Sequence, residues 1–278
     1  LDGGNYLLGP GNVIEGNFYP VEIKAGLLPG TVLPTSGNVN DYVLSINETL
    51  TPRGKLVWAD LALPYVVDGN PLNGTAAQLS IAPGTVVRFK PDAGWSFLGG
   101  QRLVAEGLPA APITFEAFAP GQPWRGISFN SNRNMPRLEQ CVVRGSRAGI
   151  VASDTPNVFL QDSLLEDNVT AAEGVVFGWL RVRKTRFFNN GVGVFTDHYP
   201  VSHGTADLFG RTNPNWFQGN DLAVQITNSS STIPAQLNYW GSPTGPRHPQ
   251  NPTGLGDPIE TGGSALQIFP FRTTPPNF

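Results

Sequence analysis

The chain has 278 residues, enough for a sizeable core, with 33 glycines, 26 prolines and only 14% charged residues, a profile that fits poorly with long amphipathic helices and well with many short strands joined by turns. A net charge of -3 gives no basic footprint for nucleic acid, and no run of 18 apolar residues is present to span a membrane. Cys141 is the single cysteine, so no internal disulfide can form. Leu1 opens directly onto a Gly/Asn-rich stretch, which reads as a mature or trimmed terminus.

In chain order, Val21 to Lys24 and Tyr42 to Ile46 are the first expected strands, and Leu56 to Trp58 opens a more regular pattern. Residues 79–89 read LSIAPGTVVRF, 103–115 read LVAEGLPAAPITF, and 124–129 read WRGISF. Next come three segments that align at a 22-residue step: LEQCVVRGS from Leu138, LQDSLLEDN from Leu160 and VRKTRFFNN from Val182. Leu138, Leu160 and Val182 coincide, as do Cys141, Ser163 and Thr185. Val143, Leu165 and Phe187 form a third column, and Ser146, Asn168 and Asn190 a fourth. A fourth copy, NWFQGN, ends at Asn220 after an insertion, and each copy is followed by a second short apolar strand.

A unit of this length cannot bury its apolar side alone. Stacked on its neighbours in parallel register, with strands about 4.8 Å apart, it can. Like residues then pile into an aliphatic file, a small-residue file beside it, and an asparagine ladder at the turn. Asn suits that turn because it tolerates left-handed backbone and its amides can bond along the stack. The leucine-rich consensus is absent, and a β-propeller blade needs roughly 40 residues. The expected fold is therefore all-β: a right-handed, single-stranded parallel β-helix (a solenoid) over residues 56–272. It would have about nine coils and a length of about 45 Å. Residues 1–55 are expected to be an N-terminal β-rich cap or irregular early coils, because a solenoid end exposes core and strand edges. A separate small β-domain is the alternative. Residues 273–278 read as a C-terminal extension or linker.

These segments, with NYWGSPTGP at 238–246, GLGD at 254–257 and FPF at 269–271, resemble the bacterial extracellular β-helix modules of the pectin-lyase-like superfamily. In those modules, "I-x-P-G-x-x-V-x-F" precedes "G-x-x-x-x-P-I-x-F", and "N-x-W-G-x-x-x-G-P" closes the solenoid. The resemblance covers roughly residues 56–272. It implies a secreted or cell-surface location. It also implies polysaccharide hydrolases and lyases among the relatives, beside modules with many other roles.

Hydrolysis of a glycoside needs carboxylates converging within about 5 to 10 Å. The outward columns of the aligned copies are Glu139-Gln161-Arg183, Gln140-Asp162-Lys184, Arg144-Glu166-Phe188 and Gly145-Asp167-Asn189. None carries two acids, so they read as mixed-sign ladders between strands. A lyase would need calcium and an Arg or Lys base. Asp162, Glu166 and Asp167 near Lys184 and Arg186 are the residues for it, against the plainer reading of a solvated face.

The insertion DHYPVSHGTAD, Asp197 to Asp207, brings Asp197, His198, Tyr199, His203 and Asp207 together. It could hold a general base or zinc, although the spacing fits no standard zinc site, and the plain alternative is an ordinary polar loop. Trp95, Trp124, Trp179, Trp216, Tyr239 and Trp240, with Tyr199, are candidates for stacking on a sugar; Trp124 and Trp240 read as core or cap, and Trp95 and Trp179 stand freer. Cys141 reads as a buried, inert thiol.

The leading expectation is a structural or adhesive surface module of a larger protein, without a cofactor. Its partners would be polysaccharide or other surface subunits, and filament formation through the solenoid ends is a variant. The alternative is a polysaccharide lyase or hydrolase.

Overall fold

The computed structural model describes residues 2–33, 37–46, 55–69, 78–130, 135–154, 157–175, 178–197, 202–203, 213–227, 233–263 and 265–278. Among these, every regular element is a strand, and the long ladders are parallel throughout. The short strands follow from composition: Gly, Pro, Asn and Asp interrupt each apolar run within a few residues.

Three ladders make up the stack, the first two present from the early coils and the third joining them later. The first carries Leu27, Trp58, Ile81, Ala105, Leu138, Leu160 and Val182 in one register file. The second carries Val43, Tyr65, Val87, Phe115, Val143, Leu165, Phe187 and Phe217. The third begins at Gly94–Leu98 and carries Trp95, Ile127, Ile150, Ala172, Val194, Val224 and Ile259. Each strand therefore pairs with the equivalent strand one coil along. That arrangement is consistent with a parallel β-solenoid.

Side chains in a strand alternate between faces, so these files point inward while their sequence neighbours point out. Val143, Leu165 and Phe187 are each 0% exposed and stand rung over rung, as the repeat predicts. Large rings fill the early coils. Trp58 stacks on Tyr65 at 4.4 Å, Phe89 on Trp124 at 4.1 Å, and Phe97 on Phe129 at 5.1 Å.

The strands Asp2–Tyr6, Val21–Leu27 and Val43–Ile46 pair in parallel and continue the ladders of the later coils. The step is already 22 residues there, as between Asp68 and Lys90. It widens to 28 between Glu116 and its neighbour Arg144, and to 30 between Asn190 and Asn220.

At the corner between the second and third ladders, amides hydrogen-bond in series. The Ser146 N–H donates to Asn168 Oδ1 at 3.0 Å, and the Asn168 side chain donates to Asn190 Oδ1 at 3.0 Å. The Asn190 side chain donates to Asn220 Oδ1 at 2.9 Å, and Asn220 donates to Asp257 Oδ2 at 2.7 Å. Each of these asparagine amides also donates to a backbone carbonyl of the coil before it: Val143, Leu165 and Phe187 in turn. The left-handed residue is not the asparagine itself, as the sequence led us to expect, but the residue before it. Gly145, Asp167, Asn189 and Gly219 have φ of 68°, 55°, 53° and 76°. The chain turns one position early, which frees the asparagine to point inward and bond along the stack. A matching file at the other corner links Cys141 N–H to Ser163 Oγ at 3.1 Å, Thr185 N–H to Asn215 Oδ1 at 3.0 Å and Asn215 N–H to Asn238 Oδ1 at 2.8 Å.

Candidate functional site

The outward face of the second ladder holds the most developed surface. Its register sets Leu44, Val66, Arg88, Glu116, Arg144, Glu166, Phe188 and Gln218 in one file. The middle of that file is an ion-pair ladder. Arg88 Nε donates to Glu116 Oε1 at 2.8 Å, Arg144 Nη2 donates to Glu116 Oε2 at 2.6 Å, and Arg144 Nη1 reaches Glu166 Oε1 at 3.5 Å. Burial alone would raise the Glu116 carboxyl, but the hydrogen bonds from Arg88 and Arg144 outweigh it and hold the group below the usual carboxylate range. The Glu116 hydrogen bond in turn holds the Arg144 guanidinium above its ordinary value.

The chain leaves this ladder after Ala117, and residues 117–123 form a wall over it. With Arg88, Glu116, Arg144, Ser146, Asp167 and Val169, that wall encloses a groove of about 740 Å³. The volume lies within the range of small-molecule sites. Phe118 and Val169 stand exposed among its lining residues.

Aromatic clusters flank the charged file on both sides. At one end Phe118 meets Tyr42 edge-on at 5.8 Å, Tyr42 stacks on Tyr19 at 6.0 Å, and Tyr19 meets Phe18 at 5.5 Å. Tyr42, Leu44 and Val66, with Tyr19, form a small second core outside the solenoid. At the other end Phe188 meets Trp216 edge-on at 5.0 Å and Trp216 meets Tyr239 at 6.0 Å. The Trp216 indole N–H is aimed by a 3.0 Å bond to Gln218 Oε1.

Of the residues singled out from sequence, Glu166 joins this ladder and Asp167 lines the groove, and the others fall elsewhere. Asp162 and Lys184 do share a register file with Gln140, but all three are left-handed corner residues, with φ of 48°, 45° and 52°. The Asp162 carboxylate accepts from Gln161 Nε2 at 2.8 Å. Asp162 and Asp167 lie at opposite ends of the strand Leu164–Glu166, roughly 15 Å apart along the backbone. Glu166 is engaged by Arg144, so these three acids do not converge. Among the described residues, no group of three His, Cys, Asp or Glu is placed to hold a metal ion.

Trp95, expected from sequence to be free to stack on a sugar, is instead 2% exposed and packed edge-on against Trp58 and Phe89, which leaves no ring face for a ligand. Trp179 opens the strand Trp179–Arg183 and pairs with Asn157, so it does not sit at a turn. His198, Tyr199 and Asp207 lie outside the described residues. The backbone of His203 pairs with that of Val182 in the first ladder. Asp197 follows the strand Val192–Thr196 on the third ladder. There it bears on Glu173, whose carboxyl is pushed up mainly by burial and further by the Asp197 charge, against the hydrogen bond from Thr170. Cys141 is buried, and burial pushes its thiol far above the ordinary range, as expected of an inert thiol.

Sequence reasoning caught the Arg144–Glu166 half of the ion-pair ladder and missed Arg88 and Glu116. A fixed 22-residue step does not reach them, because the step there is 28. Comparison with known protein families, curated proteins and solved structures finds no match to this chain, so its fold and site stand on their own geometry.

Proposed function

We propose that the chain is a right-handed parallel β-helix module of the pectin-lyase-like kind, from a secreted or cell-surface bacterial protein. We propose further that it serves as a structural or adhesive scaffold that binds glycan on the outer face of its second ladder. The observation that carries this reading is the groove itself, where exposed aromatic surface adjoins a charged floor already locked into ion pairs. Glu116 is held ionised between two arginines, so it serves better as a fixed binding group than as a proton donor. Stacked coils supply rigidity, which suits a scaffold that must present a surface without rearranging.

The test is retention of the purified chain on immobilised polysaccharides, comparing wild type with Phe118→Ala and Arg144→Ala. Loss of retention at unchanged melting temperature supports the reading. Equal retention by all three proteins rejects the groove.

A second reading, a polysaccharide hydrolase or lyase, is favoured by the Glu173 and Asp197 pair, because burial raises the Glu173 carboxyl beside a second acid, and glycoside hydrolysis uses two neighbouring carboxyl groups. Release of reducing or unsaturated sugar, abolished by Glu173→Gln, would establish it.

A further inference from the structure

We infer that the ligand of this face is an uncharged, linear polysaccharide lying along the solenoid axis and bridging the two aromatic clusters. The inference rests on the glycan-binding reading and adds the chemical class and direction of the ligand.

The charge balance gives the class. Arg88 and Arg144 are matched by Glu116 and Glu166, and Asp167 at the groove is offset by Arg186, which stands in register with Trp216 on the same face. An acidic polymer therefore meets a face with no net positive charge, whose central arginines are already taken up in ion pairs. An uncharged sugar needs no such charge. It presents a C–H face to a ring and hydroxyls to the guanidiniums of Arg88 and Arg144, whose side chains stay 43% and 47% exposed.

The register gives the direction. Val66, under the Tyr19 and Tyr42 rings, and Phe188, against Trp216, belong to the same outward file. They are separated by five rungs, or about 24 Å at one strand spacing each. A ligand running across the coils would touch one cluster only. One running along the axis meets rings, then the ion-pair ladder, then rings again. Affinity should therefore rise steeply once the chain is long enough to span both clusters, because the second contact then becomes intramolecular.

The experiment is calorimetric titration of the intact chain with a graded series of linear neutral oligosaccharides and, in parallel, with oligogalacturonates, at low and high salt. The expected result is binding of the neutral series, insensitive to salt, with a jump in affinity at the spanning length. Phe118→Ala and Trp216→Ala should each weaken the long ligands about tenfold and remove the jump. Trp216→Leu retains packing volume if the alanine variant loses structure by circular dichroism. Tighter, salt-sensitive binding of the acidic series would overturn the inference and leave the glycan-binding reading standing. Neutral binding unaltered by either variant would overturn it as well, by placing the ligand elsewhere. Failure of both series to bind would sink the inference together with the reading beneath it.

Discussion

The early and later coils obey the same architecture, and rings stack in both, as Phe187 on Phe217 and Phe217 on Trp240 do near the end, but the later coils add a buried file of amides. In the later coils a file of side-chain amides runs from Ser146 through Asn168, Asn190 and Asn220 to Asp257, every member buried. In the early coils the corresponding work falls to large rings: Trp58 on Tyr65, Trp95 against Phe89, and Phe89 on Trp124. A hydrogen-bonded file is strict, since each member must be the right residue at the right height. A ring stack is tolerant, because Trp, Tyr, Phe and aliphatic side chains can substitute for one another if volume is conserved.

The sharpest way to break this contrast is to remove one support from each region. Trp124→Ala should cost about 3–5 kcal/mol, since a fully buried indole leaves a cavity among rigid neighbours and its N–H also donates to Arg144 O. Chemical denaturation reads the loss directly. Asn190→Ala should cost somewhat less, about 2–3 kcal/mol, by leaving the buried Asn168 backbone N–H without its acceptor and by taking a donor from the Leu165 carbonyl. A cost well below 1 kcal/mol would mean that the amide file decorates the later coils and does not hold them.

The smallest effect concerns the outward ion-pair ladder. Because the folded Glu116 carboxyl titrates below its ordinary value of 4.5, it contributes stability that is complete above that pH and lost as acidification proceeds through the folded value. The melting temperature of wild type should therefore fall further between pH 5 and pH 3 than that of Glu116→Gln. Arg144 is half-exposed, so Arg144→Ala should cost less than about 1 kcal/mol at neutral pH. Parallel acid curves for wild type and Glu116→Gln would show that the ladder is solvated and contributes nothing to folding.

The same contrast explains what the sequence made legible. The amide and aliphatic columns of residues 138–190 repeat identity as well as spacing, so the 22-residue step stands out there. The step is present from the start, since Phe18 pairs with Asn40, and Asp68 with Lys90, at the same interval. It is hidden because Leu44 and Val66, which point outward, are apolar too and lie under Tyr19 and Tyr42. Their strands then read as continuous apolar runs with no alternation to mark an inside and an outside. The groove escaped notice for a different reason. Arg88, Glu116 and Arg144 are neighbours only after two coils have each been lengthened to 28 residues by loops. The 22-residue step of the later coils does not bring them together.

The file ending at Asp257 also has a sense of direction. Each amide in it takes a bond from the coil before and hands one to the coil after, but a carboxylate has no N–H to hand on. Asp257 is therefore a terminator written in the chemistry of one functional group. A whole coil excised between Asn168 and Asn190 keeps like facing like and should leave a shorter, folded rod, whereas a cut inside a strand that is one residue longer or shorter turns that strand's inward side chains outward unless a corner absorbs the difference. Length is thus adjustable in quanta of one coil, and the amide file sets the quantum.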